Sequence, residues 1–598
     1  MTRIEEMLGR VTAEAIKELY GVNVERNVLS IQKTNKDFSG DFTLVVFPLT
    51  RISKKSPEVT GKEIGEYIKN KLKYIREFNV VKGFLNFETE KTYWVEFLKE
   101  AYGKEEYGLI KPQSDSKTVI VEFSSPNTNK PLHLGHIRNN LLGYSLSKIL
   151  SANGYNVRMV NLVNDRGIHI CKSMLAWEKW GNGETPESSG MKGDHLVGKY
   201  YVLFEKYYRQ QVQDLIEKGY SKEEAEKNAP LIKEVREMLQ KWEKGNEHVV
   251  ILWGKLNSWV YDGFDVTYKE LGISFDKIYY ESGTYLSGKT LIEEGLEKGA
   301  FIRREDGSVW VDLTNEGLDE KLLLRSDGTS VYMTQDIGTA QLRFEEYNPY
   351  KMIYVVGNEQ DYHFNVLKLV LLKKLQKEWA ENIYHLSYGM VELPEGKMKS
   401  REGTVVDADD LMNVMRDTAR KASEELGKAE NLTEEEALKL YKTIGLGALK
   451  YFILKVDPKK KMLFNPQESI ELNGNTGPFI QYTYARIKSL LKKASENGIS
   501  WNKESAITEI NQEEKDILKL LHEYPVVIKE SGETYNPALI ANYIYELVKS
   551  YNHFYQEIPV IKELNYDIAC YRLKLSELTG RVIRSAMSLL GIDLPERM

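Results

Sequence analysis

Hydrophobic positions in the first hundred residues follow two periods. Ile4, Met7, Leu8, Val11, Ala15, Ile16 and Leu19 recur at helical spacing and predict a helix over 2–19. Residues 41–49 are β-rich and end at Pro48. Ser56-Pro57 then signals the start of a helix with Ile64, Ile68 and Leu72 on one face, and 83–87 alternates as a strand. Together these predict a small α+β unit ending near residue 104.

From about residue 116 to 408, short apolar strands alternate with longer amphipathic helices. Strands are predicted at 118–123, 156–162, 352–356 and 385–391, with helices running to 153 and from 363 to about 375. That alternation predicts a parallel sheet with crossover helices, a Rossmann-like doubly wound nucleotide-binding core. The charged stretch at about 175–315 is too long for a connection and reads as an inserted subdomain. Residues 301–313 and 322–331 read as strands turning through Asp306-Gly307 and Asp327-Gly328. After 461 the pattern is almost wholly helical, which predicts an all-α C-terminal domain. The fold class is thus α/β with a small N-terminal α+β domain and a helical C-terminal bundle, in three parts at 1–104, 105–460 and 461–598.

Composition narrows the function classes. The chain has 598 residues, too many for one core and enough for three or four domains of about 150 residues each. Hydrophobic residues at 42% and charged residues at 28% argue against wholesale disorder. The net charge of −6 excludes a polybasic protein but not a local nucleic-acid surface. Residues 441–598 hold 21 basic and 19 acidic side chains, so the acid excess lies before them. Two cysteines, Cys171 and Cys570, exclude a disulfide framework and a four-cysteine zinc site, and fit a reducing compartment. No signal core and no run of 18 apolar residues is present, so a cytoplasmic protein without a membrane span is expected.

The most informative stretch is Glu122-Phe-Ser-Ser-Pro-Asn-Thr-Asn-Lys-Pro-Leu-His-Leu-Gly-His136, between a predicted strand and helix. It is neither GxGxxG nor a Walker loop. His133 and His136 share a helix face near the N-terminus, where partial positive charge and free N–H groups suit phosphate. Gly135 leaves room for a flat base near the backbone, and Lys130 adds a mobile charge. Two histidines alone are read more readily as part of a capped surface helix; the flanking Ser-Ser-Pro-Asn and Lys shift the balance.

That stretch resembles the HIGH motif of class I aminoacyl-tRNA synthetases, and 124–130 resembles its arginyl-tRNA synthetase version. Asn164-Asp-Arg-Gly167, Asp327-Gly-Thr-Ser-Val-Tyr332 leading to Asp336, Gly474-Asn-Thr-Gly-Pro-Phe-Ile-Gln-Tyr-Thr-Tyr-Ala-Arg486 and Leu594-Pro-Glu-Arg-Met598 extend the resemblance over the chain in the same order. The resemblance implies an arginine–tRNA ligase. L-arginine is activated with ATP to arginyl-adenylate and pyrophosphate, then transferred to the terminal adenosine of tRNA(Arg), with bound tRNA needed for activation. His133, Gly135 and His136 meet ATP, and Mg²⁺ travels with it rather than in a dedicated protein site.

The loop matching KMSKS is Gly396-Lys-Met-Lys-Ser-Arg-Glu-Gly-Thr404. It departs from the pattern by lacking the usual second lysine, so Lys130 gains weight as its stand-in. Lys397, Met398, Lys399, Ser400 and Arg401 remain phosphate or nucleotide contacts, or a solvated basic loop. The resemblance assigns arginine to Glu122, Ser125, Asn127, Tyr332, Asp336 and Gln360. Carboxylates with a neutral acceptor suit a planar cationic fork. A strand-end salt bridge for Glu122 and a helix N-cap for Asp336 stay open. His363, at the start of the next helix, is as readily structural.

The C-terminal bundle resembles an anticodon-binding domain, where Tyr482, Arg486, Tyr551 and Tyr555 are candidates to stack on bases or meet phosphates. Ile540, Ile544, Leu547 and Tyr551 also follow core spacing. The N-terminal unit resembles the additional tRNA-binding domain of arginyl enzymes, and a packing module is its alternative. A monomer is expected. Rival readings are another class I synthetase, a synthetase-like RNA-binding protein without catalysis, and a small-molecule adenylyltransferase. Asp336→Ala is expected to weaken arginine binding far more than ATP binding, measured by separate titrations; equal losses would refute the pocket.

Overall fold

Ser56 starts the helix Pro57–Lys71 in the way its sequence implies. Its hydroxyl accepts the Val59 N–H at 3.3 Å, and Pro57 sits where no N–H is needed. The computed structural model of the chain describes residues 3–35, 37–394, 406–425, 432–501, 507 and 509–598. It divides into two compact units, and the helical C-terminal region contributes to both.

The first unit comprises Met1–Tyr107, Arg486–Pro525 and Glu546–Val582. Four strands, β1 (Ile31–Lys33), β2 (Phe42–Val45), β3 (Ile75–Val81) and β4 (Phe84–Thr89), form an antiparallel sheet in the order β1-β2-β4-β3. The β-rich stretch 41–49 is strand only to Val45. Pro48 then lies in the first turn of a short 3-10 segment, Phe47–Leu49, because proline cannot continue the ladder. Asp41 is buried beside this sheet. The backbone N–H and hydroxyl of Thr89 donate to it at 2.8 and 2.5 Å, and Lys515 and Lys519 reach it at 2.9 and 2.5 Å. Sheet and helix Gln512–Thr534 are therefore joined by a nearly water-free ion pair.

The second unit comprises Gly108–Ala485, Val526–Tyr545 and Ile583–Met598. Its centre is a parallel sheet of β5 (Thr118–Glu122), β6 (Asn156–Val163), β7 (Lys277–Tyr280), β11 (Lys351–Gly357) and β12 (Ile383–Tyr388), ordered β12-β11-β5-β6-β7. The order reverses between β5 and β11, where doubly wound sheets bind ligands. Since every pairing is parallel, Glu122, Val163, Tyr280 and Gly357 all end at one edge.

β7 falls inside the stretch 175–315 and pairs with β6, Val163 opposite Tyr280. The stretch is thus two excursions rather than one insertion. The first is helical, including Ile168–Trp180, Gly193–Glu217 and Glu247–Glu270. The second holds the antiparallel β8 (Ile302–Arg303), β9 (Val309–Val311) and β10 (Lys321–Leu324). β7 is only four residues long, and its Lys277-Ile-Tyr-Tyr280 gives no apolar run that marks a core strand. β13 (Val391–Glu392) pairs in parallel with β14 (Met462–Leu463), and helices Ala408–Glu425 and Glu434–Leu454 precede the point where the helical region was expected to begin.

The helix Leu134–Ala152 has no polar face; even Arg138, Asn139 and Asn140 are buried. Arg138 donates to the Pro458 and Lys460 carbonyls at 3.1 and 2.8 Å. Gly143 lets it lie on the sheet, since a Cβ there would stand 2.3 Å from the Phe123 ring. Burial lifts the Asp41 carboxyl, but Lys519, Lys515 and Thr89 together outweigh it and hold it below its ordinary value. Its contribution is therefore full above the ordinary carboxylate range and lost as pH falls through the depressed value. Asp41→Ala, by stranding two cations, is expected to cost on the order of 3 kcal/mol in urea unfolding at neutral pH.

Candidate active site

Ser124 and Ser125 leave β5 with φ of 79° and 46°, a left-handed backbone that serine rarely adopts. Two buried asparagines hold it there. Asn139 accepts the Ser124 N–H at 2.5 Å and donates to the Val355 carbonyl of β11 at 2.7 Å. Asn161 of β6 accepts the Ser125 N–H at 3.0 Å. The following residues lie beside the end of β6: Asn164 N–H donates to the Pro126 carbonyl at 2.9 Å, and Thr128 N–H to the Asn164 carbonyl at 3.2 Å. Asn127 is exposed on this turn.

His133 is the N-cap of Leu134–Ala152. Its Nδ1 accepts the Gly135 N–H at 3.1 Å, while the Nδ1 of His136 accepts the His133 N–H at 3.2 Å. Two histidines thus perform a reciprocal cap normally made by hydroxyl and carboxylate groups. Burial and Lys130 lower the His133 pKa to about 4, and burial, His133 and Lys130 push His136 well below its ordinary value. Both rings are neutral near pH 7, and an accepting Nδ1 assigns each proton to Nε2. Each ring then offers one N–H donor. A Cβ on Gly135 would come within 2.9 Å of the His133 ring, so this glycine makes room for the imidazole. Lys130 is half-buried, and burial lowers its pKa.

The expected arginine-binding set divides. Tyr332, 69% exposed, opens the helix Tyr332–Tyr347, whose N-cap is Val331; Asp336 stands one turn in and is not a cap. His363 Nε2 lies 2.6 Å from Asp336 Oδ2. Gln360 is exposed immediately before the helix Asp361–Leu369. Glu122 differs from expectation. Its Oε2 is paired with the buried Arg343 and its Oε1 accepts the Ser125 hydroxyl at 3.2 Å, so the strand-end salt bridge describes it. A carboxylate committed to an internal guanidinium is a support for the serine turn rather than a vacant partner.

The acid that spacing and motif did not reveal is Glu281, buried at the end of β7. Burial raises its pKa to about 7; Arg166 opposes the rise, while Asp165 and Asp336 add to it. Asp165 secures this position: it accepts the Ser282 N–H at 2.8 Å, the Ser282 hydroxyl at 2.6 Å and the Tyr261 hydroxyl at 2.9 Å. Arg166 lies 3.8 Å from Glu281, 2.8 Å from Glu243, and over the Tyr285 ring at 4.1 Å. Glu281, Arg166, Tyr332 and Gln335 line one cleft of ≈ 800 Å³. The sole sequence signal was Asn164-Asp-Arg-Gly167, which marks the supports and not the acid. Lys397, Met398, Lys399, Ser400 and Arg401 lie outside the described residues.

Of the base-stacking candidates, Tyr551 is 0% exposed and belongs to the core, packed 5.8 Å from the Phe554 ring. Its core spacing prevails over the tRNA assignment. Tyr555 is 37% exposed with Arg486 over its ring at 5.2 Å, and Arg486 also donates to Asn552. Tyr482 is half-buried.

Three family descriptions match consecutive parts of the chain: the arginyl tRNA synthetase N terminal domain over residues 6–89, the class I (R) tRNA synthetase catalytic domain over 102–465, and the DALR anticodon binding domain over 480–598. An arginine–tRNA ligase of Bacteroides thetaiotaomicron is 58% identical over 597 residues, with all of both chains covered. One of Flavobacterium psychrophilum is 53% identical, again with both chains fully covered. The structure of Thermus thermophilus arginyl-tRNA synthetase aligns over all of both chains with a TM-score of 0.79 at 25% identity. Asp165→Ala, which leaves Ser282 and Tyr261 unpartnered inside the protein, is expected to cost about 2 kcal/mol in thermal unfolding, with Asp165→Asn losing less.

Proposed function

This chain belongs to the arginyl-tRNA synthetase family and is an arginine–tRNA ligase acting on tRNA(Arg), and we propose how its residues divide that work. As a class I enzyme it uses ATP, normally with Mg²⁺. The arginine carboxylate attacks the α-phosphate, pyrophosphate leaves, and a ribose hydroxyl of the terminal tRNA adenosine then takes the arginyl group from the adenylate. Neither step needs a protein nucleophile, so positioning and charge stabilisation supply the acceleration.

Asp336 and Glu281 take the guanidinium, with Tyr332 and Gln360 at its rim. The buried acid Glu281 beside Asp336 is the observation that carries this reading, because a cation is what restores its charge. Ser125 and Asn127 receive the α-amino and carboxylate groups. His133 and His136, neutral and with Nε2–H outward of their caps, donate to phosphate oxygens as negative charge grows, and Lys130 adds positive charge there. The donor set fits a triphosphate; Mg²⁺ arrives on it. Glu122 acts through Ser125.

The tRNA is held by the segment matching the DALR domain, where the Arg486–Tyr555 pair offers a cation and an aromatic face, with Tyr482 beside the start of that segment. The N-terminal domain adds a second tRNA contact. Among the described residues no helix is long and apolar enough to cross a membrane, and Cys171 and Cys570 are unpaired and buried. The enzyme is proposed to act in the cytoplasm as a monomer.

ATP–pyrophosphate exchange tested across the amino acids, with and without total tRNA, is expected to respond to arginine and tRNA together; exchange driven by another amino acid, or none with tRNA present, refutes the reading. The Glu281 value sets a pH signature. Below about pH 7 the carboxyl carries a proton that cationic arginine must displace, so KM for arginine should fall roughly tenfold per unit as pH rises toward 7 and then level off. Glu281→Gln should bind arginine weakly with a flat profile from pH 5.5 to about 8. The histidines, already neutral there, contribute nothing to that slope.

A further inference from the structure

Residues 406–408 run beside the histidine cap. Asp407 forms an antiparallel bridge with His133, Leu134 N–H donates to the Val406 carbonyl at 3.0 Å, and Ala408 N–H to the Leu132 carbonyl at 2.9 Å. The two backbone bonds that make this bridge are too little to hold so short a ribbon in water. Its anchor is made by side chains from the first, helical excursion.

Lys192 is the N-cap of the helix Gly193–Glu217, and Asp194 and His195 form its first turn. Lys192 Nζ donates to the Thr267 hydroxyl at 2.6 Å, lies 3.2 Å from Asp194, and pairs with Asp409. His195 Nε2 lies 2.9 Å from Asp409 Oδ2 and 3.6 Å from Asp407. Thr267, from the helix Glu247–Glu270, donates to Asp409 Oδ1 at 2.9 Å. Asp407 in turn accepts the Asp409 and Asp410 N–H groups at 2.8 and 3.2 Å and so starts the helix Ala408–Glu425. Asp194 is 0% exposed. The ligating atoms of Asp194, His195 and Asp409 are close enough together to suggest a metal, but the Lys192 ammonium already stands among them. The same helix meets the motif a second time: a Cβ on Gly198 would approach Pro131 Cδ to 3.0 Å and Lys130 Cα to 3.5 Å.

We propose that Lys192 and His195 are positioning residues for ATP, holding Asp407 and Asp409 so that residues 406–408 fix the His133 cap and ring. The proposal rests on His133 meeting the triphosphate. Arginine recognition uses none of these groups, so the network separates the two substrates energetically.

The test is steady-state exchange with ATP and arginine varied separately in the full-length enzyme with tRNA. His195→Ala should raise KM for ATP about tenfold, with KM for arginine changed less than twofold and the same melting profile. His195→Gln, whose amide N–H can still reach Asp409, should recover most of the loss. If His195→Ala does not fold, Asp409→Asn keeps the shape, removes the charge and should show the same ATP-selective defect. An unchanged KM for ATP in a folded variant, or equal rises for both substrates, would overturn the proposal. His133→Ala is the control: a large ATP defect there with none at His195 removes the proposal alone. No ATP defect at His133 removes the nucleotide reading and the proposal with it.

Discussion

The left-handed turn at Ser124 and Ser125 is the constraint from which the site is built. A parallel strand delivers the chain to the sheet edge pointing out of the molecule, and the next residues must fold back over β6 to reach the helix. Positive φ at two successive serines accomplishes this at a cost of order 1–3 kcal/mol each. Asn139 and Asn161 offset that cost by accepting both N–H groups inside the protein, and each also ties the turn to a neighbouring element. The amide carbonyls are short and neutral, so they can be buried without a counter-ion. Replacing either leaves a strained turn with an unpaired N–H.

Glu122 and Glu281 are buried acids with unequal partners. The protein holds a buried guanidinium against one of them: Arg343 pairs with Glu122, and its guanidinium carbon lies 4.8 Å from the Tyr279 ring centroid. That internal pair occupies Glu122 behind the serine turn. Among the described residues, the cation nearest Glu281 is the more distant Arg166, which is shared with Glu243, and Gln335 adds a hydrogen bond. The difference between a closely and a loosely paired carboxylate separates the support of the serine turn from the acid proposed to meet arginine. At the histidines the logic is opposite. Burial keeps both rings neutral, so in the proposed role they would donate hydrogen bonds to phosphate without an alternating charge of their own.

Much of the fold was legible because helix and strand periods are local. The helices Ile4–Tyr20 and Pro57–Lys71 and the strands β5, β6, β11 and β12 follow from apolar spacing with start and stop residues. β7 was not, because a four-residue strand carries no period, and its place is set by its pairing with β6. Glu281 was hidden with it. Tyr551 was legible both ways; helical spacing pointed to the core and aromatic chemistry to nucleic acid. Burial favoured the core because desolvating a tyrosine ring at the centre of a bundle contributes more than leaving it exposed for an unbound partner.

The helices and longer strands, the place of His133 and His136 at the start of the helix after β5, the Tyr332–Asp336 spacing and the helical end were determined by sequence alone, since each depends on residues within a turn or two of one another. Which buried acid is closely paired inside and which keeps only a distant cation was decided by tertiary structure. Glu122 meets Arg343 221 residues away, and Asp165 reaches Ser282 across 117. The charge state of a buried carboxylate depends on every group that the fold brings near it, and no local spacing encodes that sum.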